Sequence, residues 1–436
     1  MEDIFGTINS ITGITKYSSS EVITPKRIVA DMVDLLPAGI YTPEAKFLDP
    51  AVKSGRFLAE IYRRLMDSEL MKQAFPNTDE RKLHIRRNQL YGFATSSLAA
   101  AVTRKQLYDD PQEIGNIMYT ADKVTKEMIQ GAFSTMKFDV VIGNPPYNND
   151  IYLDFVTLGH SLANKYTVMI TPAKWQAKGG DKNEKFRKDI VPYMSKIVFY
   201  PDATEIFDIA EIDGISYYLI CEKKHDTKTI INRSSINPNF NSVAKRRVDG
   251  VLNNAALSII NKLTGPKISI NAKNNHFKLC GNSGTGIKVY SGGKLSGECT
   301  TVDIGSNHAD IYKFKVISNE MLGYAFFFDK EGRILGSPDY KVLEPGVVCS
   351  SHYCVYRTFD NRAEAGSLIS YLNTKLIRFI TALTLTGTTT SKDEFWRFVP
   401  DPGAFDHIFT DAELYKKYGL TPEEINIIES VIKERK

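Results

Sequence analysis

Asn144-Pro145-Pro146-Tyr147 is the stretch of this sequence best suited to chemistry on an amino group. An amino group conjugated to an aromatic ring shares its lone pair with the ring and is a poor nucleophile. A site that makes it react must draw it toward tetrahedral geometry and aim it at an electrophile. An asparagine oxygen and a proline-fixed backbone carbonyl can accept its two hydrogens, and an aromatic side chain can hold the ring by stacking. Two prolines fix the turn, so the acceptors are set in advance. Read structurally, the same tetrapeptide is a proline turn that ends a strand, with Tyr147 as packing.

A second stretch, Phe47 to Leu58, reads as a strand, a tight turn of small residues and a helix start. Its Asp49, Pro50, Ala51 and Gly55 would let a ligand approach the backbone closely. Many α/β proteins have a glycine here, so this turn alone is a weak signal.

The elements that must position these residues follow from periodicity. Residues 26–36 have helical spacing of apolar positions. Strands are expected at Ala45–Leu48, Leu90–Ala94, Phe138–Ile142, Tyr166–Ile170 and Ile215–Ile220, with helices at Phe57–Met71 and Ser97–Leu107. The apolar run Val140-Val141-Ile142-Gly143 stops at Asn144-Pro145-Pro146, a buried strand ending in a rigid turn. Strands alternating with helices imply a parallel α/β sheet with ligands at the carboxyl ends of its strands. After about residue 224 Asn, Ser and Gly become frequent and the alternation stops, which places a domain boundary there: 1–224 and 225–436. Thr421, Pro422 and Glu424 spell a capping box for a last helix.

On these residues and their order, the chain resembles the amino-methyltransferases of bacterial restriction–modification systems, in their type II adenine-specific branch. Thr24-Pro25, the turn after Phe47, Asn144–Tyr147 and a basic second half succeed one another as in that family. The run from Phe395 to Glu429 also resembles the tail of one subgroup. The resemblance implies a Rossmann-like class I sheet followed by a mixed α/β target-recognition domain. It implies methyl transfer from S-adenosylmethionine to N6 of an adenine flipped out of double-stranded DNA, with no metal and no covalent enzyme intermediate. Flipping would cost a few kcal/mol. By the same resemblance Thr24, Pro25, Asp49, Pro50, Ala51 and Gly55 hold the cofactor, with Asp122 against its adenine. Asn144, Pro145, Pro146 and Tyr147 clamp the target base. A separate restriction endonuclease is an expected type of partner.

The pattern is not met everywhere. Val52 and Lys53 stand where the family has Cys and Gly; a lysine there would pair with the cofactor carboxylate or point to water. The strand at Leu90–Ala94 should end near an acid that holds the cofactor ribose. The chain reads Gly92-Phe93-Ala94-Thr95-Ser96-Ser97 instead, leaving Thr95 or Ser96 as neutral substitutes. Two further readings share these residues: an amino-methyltransferase acting on RNA or protein, and a DNA-binding specificity protein that has lost catalysis.

Composition narrows the class. Hydrophobic residues at 42% and charged residues at 24% suit packed globular domains. No apolar run is long enough to span a membrane, and the N-terminus has no signal-peptide pattern, so a cytoplasmic protein is expected. Five cysteines, an odd number, suit reduced thiols. The net charge of +4 hides an asymmetry: residues 223–297 hold 13 Lys and Arg against 2 Asp. Such a segment suggests a polyanion, and its densest cluster, Lys245, Arg246 and Arg247, is expected on DNA phosphates.

Three features are set aside. Pro201-Asp202 with Glu222-Lys223-Lys224 fits a loose nuclease pattern, but lies between strands of the expected sheet. Cys349, His352 and Cys354 match no common zinc spacing. Tyr324, Phe326, Phe327 and Phe328 are expected to pack a core in the second domain.

Overall fold

The computed structural model describes residues 22–435 except 111, 135–136, 209–213, 249, 271, 282–283, 321–327 and 385–392. Tyr324, Phe326 and Phe327 lie outside the described residues. The chain forms two compact units: Met1–Arg233 with Val243–Asp249, and Ser234–Ser242 with Gly250–Lys436.

The first unit is built on a nine-stranded sheet. Its strands are β1 (Phe47–Val52), β2 (Leu90–Ala94), β3 (Ile117–Tyr119), β4 (Phe138–Gly143), β5 (Ala163–Pro172), β6 (Met194–Tyr200), β7 (Ile215–Cys221), β8 (Lys228–Asn232) and β9 (Ser242–Arg246). They lie in the order β3-β2-β1-β4-β5-β7-β6-β8-β9. This is the Rossmann-like α/β sheet expected from the sequence. β1 runs parallel to β2 and β4, and β4 parallel to β5. The sheet is not wholly parallel, however: β7 is antiparallel to both β5 and β6. β8 extends the sheet beyond residue 224, and β9 returns to it from the basic segment.

Helices cover this sheet: α1 (Lys26–Val33), α2 (Arg56–Asp67), α3 (Glu69–Ala74), α4 (Thr78–Asn88), α5 (Ser97–Tyr108), α6 (Lys126–Phe133), α7 (Ile151–Leu162) and α8 (Asp181–Asp189). The helix expected to run to Met71 breaks at Ser68, whose backbone is extended and whose hydroxyl caps α3. α5 begins after Ser96, which accepts from the Ala99 N–H. All six residues of β1 are buried, as expected of a strand flanked on both sides.

The second unit has a four-stranded sheet and a three-stranded sheet. The three-stranded sheet contributes Ile287, Val289, Cys299, Val347 and Val348 to one core with Phe277, Ile311, Ile317 and Val355. Phe328 is half-buried with its ring edge-on to Phe240 at 6.4 Å. Cys349 and Cys354 are buried in strands, and burial pushes both thiols up to about 12. A thiol so held stays protonated and is a poor metal ligand. Among the described residues no group of three His, Cys, Asp or Glu side chains is placed to hold a metal ion. The last helix, Pro422–Val431, starts in the capping box read from Thr421 and Glu424. No described helix is long and apolar enough to cross a membrane.

Candidate active site

The register of the sheet decides which residues can meet. Leu48 of β1 lies opposite Val141 of β4, so the turns after the two strands open side by side at their carboxyl ends. This edge of a parallel α/β sheet is the ordinary place for a ligand. A cleft there, enclosing about 240 Å³ of empty space partly open to solvent, is lined by Thr24, Asp49, Ala51, Lys53, Ser54, Gly55, Arg56, Phe57 and Asn144. Residues from three distant stretches of sequence thus converge.

Asn144 is buried. Its Nδ2 donates to the Val22 carbonyl and to the Thr24 hydroxyl, both at 3.1 Å. A carbonyl only accepts, so the group facing Val22 must be the NH2 end of the amide. That leaves Oδ1 buried with no hydrogen-bond partner. An unsatisfied buried acceptor costs roughly 1–3 kcal/mol, and such an atom is what a ligand hydrogen would satisfy. Pro145 is buried and Pro146 half-buried. After the prolines, Asn149 and Asp150 both adopt left-handed backbone, at φ 51° and 57°. Asp150 is tied to Lys178 by an ion pair, which holds this strained turn in place.

Tyr147 is buried to 9% exposure, and its ring meets Phe207 edge-on at 6.2 Å and Tyr152 at 6.4 Å. Phe207 escapes a reading from sequence. It sits in a loop between β6 and β7, and only the pairing of β7 with β5 brings it near. Nothing local in Glu-Ile-Phe-Asp marks it.

Asp49 is buried, with Oδ1 accepting from the Ala51 N–H at 3.0 Å. Burial pushes its carboxyl up to about 7, against the opposing pull of that N–H and of the Lys53 ammonium. Gly55 caps α2 at φ 71°, and a Cβ there would lie 2.9 Å from Thr103. Arg56 reaches back to the Thr24 carbonyl at 2.9 Å. Pro25 caps α1, its carbonyl receiving the Ile28 and Val29 N–H groups at 3.0 Å. Lys53 does not point to water. Its side chain is buried, and Nζ donates to the Val22 carbonyl at 3.2 Å.

Other expected residues stand apart from this cleft. Asp122 is exposed in a bend just beyond β3, at the carboxyl edge of the sheet. Thr95 and Ser96 are locally engaged: Thr95 Oγ1 donates to the Val52 carbonyl at 3.3 Å, and Ser96 Oγ accepts from Ala99 N–H at 3.1 Å. Lys245, Arg246 and Arg247 lie on or beside β9, at the far edge of the sheet and in the first unit. β9 is five strand spacings from β4, about 24 Å at the usual separation. Lys245 and Arg247 are exposed; Arg246, on the opposite face, is half-buried. Asp202 follows the end of β6, beside the start of β7, while Glu222–Lys224 follow the end of β7. The two halves of the nuclease-like pattern are therefore at opposite ends of a strand pair, roughly 20 Å apart.

Residues 3–196 match the profile of the N-6 DNA Methylase family. An uncharacterized adenine-specific methylase of Mycoplasma pneumoniae is 26% identical over 336 residues, covering 57% of this chain and 77% of that protein. Among solved structures, the M protein of the type I restriction enzyme EcoKI is 17% identical at a TM-score of 0.39, covering 55% of this chain and 53% of that one. The type IIL restriction–modification enzyme MmeI is 11% identical at a TM-score of 0.44, covering 85% and 63%. The chain spans about half the length of the first of these structures and less than two thirds of the second.

Proposed function

We infer that this chain, which belongs over residues 3–196 to the N-6 DNA methylase family, methylates N6 of adenine in double-stranded DNA with S-adenosylmethionine as donor. The observation that carries this reading is the buried, unpartnered Oδ1 of Asn144 beside a cleft of cofactor-binding character.

The cleft suits the methionine end of the proposed donor, which carries a carboxylate and an ammonium. The buried Asp49 carboxyl meets the cationic end, while Arg56 gives the wall positive charge. Gly55, at φ 71°, supplies the left-handed turn that starts α2 at the cleft wall. The cleft is shallow, and its space of about 240 Å³ outside the protein atoms includes open solvent. It would hold one end of the cofactor, leaving the adenine end toward β3 and Asp122. When bound, the cofactor supplies an electrophilic methyl group.

The chain's own residues do the rest. Asn144 Oδ1 accepts one hydrogen of the adenine amino group and the Pro145 carbonyl the other, so nitrogen density turns toward the methyl. Tyr147, its ring held edge-on by Phe207, is the aromatic that would stack on a flipped base. Lys245 and Arg247, about 24 Å away across the sheet, would meet backbone phosphates roughly seven base pairs from the target at 3.4 Å per step. The second unit is proposed as the target-recognition domain, and a separate restriction endonuclease as a partner in a cytoplasmic restriction–modification system.

Incubating the purified chain with methyl-labelled S-adenosylmethionine and DNA, RNA or protein tests the reading. Label recovered as N6-methyladenine in DNA is the expected result. Label confined to RNA or protein, or cofactor binding without any transfer, would replace it.

A further inference from the structure

Lys53 stands where the family resemblance expects a glycine, and its side chain is enclosed rather than solvated, at 5% exposure. A buried ammonium must be compensated by hydrogen bonds or charge. Its Nζ donates to the Val22 carbonyl at 3.2 Å, and Asn144 Nδ2 donates to the same oxygen at 3.1 Å. A carbonyl oxygen has two lone pairs, so these two donors fill it. Lys53 Nζ also lies 5.8 Å from the centroid of the Tyr147 ring, within cation–π range. One side chain therefore touches the acceptor that orients Asn144 and the ring that follows it.

The Asn144 amide can present either its oxygen or its NH2 to a ligand, and only the oxygen can accept an amino hydrogen. Which end turns outward depends on where Val22 holds its carbonyl. Val22 lies before α1 in an isolated bridge outside the strands of the sheet, so side-chain contacts help to set where its carbonyl points. Asn144 alone would fix the distance but not the approach direction of that carbonyl. A second donor from the turn after β1 triangulates it.

We propose that Lys53 is a positioning residue for methyl transfer. By anchoring the Val22 carbonyl to the turn after β1, it locks the Asn144 amide with Oδ1 toward the base and steadies Tyr147. It acts on the reacting amino group through Val22 and Asn144, and not as a ligand of the cofactor carboxylate. The inference rests on the reading of Asn144 as the amino-hydrogen acceptor. It also implies that Lys53→Gly, which restores the residue of the family pattern, slows this protein.

Lys53→Met keeps the aliphatic stem and removes the donor; Lys53→Gly removes both. For each, single-turnover methyl transfer at saturating cofactor and DNA is compared with cofactor affinity by calorimetry. The side-chain amide resonance of Asn144 is followed in asparagine-labelled protein and assigned by its loss in Asn144→Ala. A misplaced acceptor should lower the saturated rate roughly 10- to 100-fold. Cofactor affinity should change by less than about threefold, a loss in kcat rather than in binding. The Asn144 amide resonance should shift in Lys53→Met. Cofactor affinity weakened tenfold or more at an unchanged saturated rate would make Lys53 a cofactor ligand and overturn the proposal. So would an unmoved Asn144 resonance in Lys53→Met. Should the wild-type chain transfer no methyl to DNA, the functional reading fails separately, and the resonance still decides whether Lys53 orients Asn144.

Discussion

Gly143 and Asp49 share a space too small for both a methyl group and a carboxylate: a Cβ on Gly143 would lie 2.7 Å from Asp49 Oδ1. That oxygen already accepts from Ala51 N–H, so it cannot simply turn away. Gly143→Ala should therefore destabilise the first unit by about 1–3 kcal/mol, read by urea denaturation. Adding Asp49→Ala should recover most of the loss. A double variant no more stable than Gly143→Ala would mean the strain lies elsewhere.

Asp49 makes a pH prediction whose sign can be worked out. Its carboxyl is held at about 7 in the folded chain and sits near 4 when unfolded. The folded state thus binds more protons across that interval, and the stability from this group is lost as pH rises through about 7. Asp49→Asn, which can still accept from Ala51, should melt above wild type at about pH 8, with the difference shrinking toward about pH 5. Cofactor binding brings positive charge to the carboxyl and should release part of a proton near neutrality. Its measured enthalpy should then depend on buffer ionisation in wild type more than in Asp49→Asn. Equal buffer dependence in both proteins would remove Asp49 from the cofactor site.

Asn144→Ala deletes the unpartnered acceptor along with two hydrogen bonds to the Val22–Thr24 segment. Methyl transfer should fall by at least roughly 10²–10³-fold, the usual cost of one preorganised polar contact to a reacting group. The far-ultraviolet circular dichroism spectrum should be unchanged. Activity within a few-fold of wild type would end the assigned chemistry.

Asp122→Ala should weaken S-adenosylmethionine binding without changing affinity for DNA. The residue is exposed just beyond β3, so its loss should leave the melting temperature unaltered. An unchanged cofactor titration would release it from the role that the family resemblance gives it.

Along β9 side chains alternate, and Lys245 and Arg247 are the exposed pair. Arg246 turns the other way and donates to the Arg247 carbonyl at 3.1 Å. Replacing all three by alanine should flatten the salt dependence of DNA binding by up to ~3 log–log units, about 0.9 for each phosphate no longer neutralised. Lys245→Ala with Arg247→Ala should account for about two of these, and Arg246→Ala alone for little. The preferred sequence should stay the same, because phosphate contacts position and base contacts specify. An unchanged slope in the triple variant would take the cluster off the DNA.

Local sequence was informative where local physics decides the outcome. β2 spans the expected Leu90–Ala94, and β4 runs one residue past the expected Ile142 into Gly143 before the prolines stop it. The capping box at Thr421 appears as its residues require. β1 outruns its expected end at Leu48 because Asp49 and Pro50, poor strand formers, are held there by β2 and the burial around them. The short β3 and the charged α4 carry too little apolar pattern to be seen in advance. Lys53 was legible only as a departure. Its partner is a carbonyl 31 residues earlier in the chain, and no periodicity encodes that pairing. Thr95 and Ser96 looked available in sequence, yet Thr95 donates to the Val52 carbonyl of β1 and Ser96 caps α5.

The path of the chain between its two units has a consequence for how such proteins can be recombined. It leaves the first unit after Arg233, returns for Val243–Asp249, and leaves again at Gly250. A single crossover in the gene therefore cannot exchange one unit cleanly for another. A junction after Arg233 strips the edge strand from the nine-stranded sheet. A junction after Asp249 strands Ser234–Ser242, with the Phe240 ring that packs on Phe328, in the wrong parent. Viable chimaeras need matched junctions on both sides of β9, so the two halves of this chain should be inherited together more faithfully than a simple two-domain order would suggest.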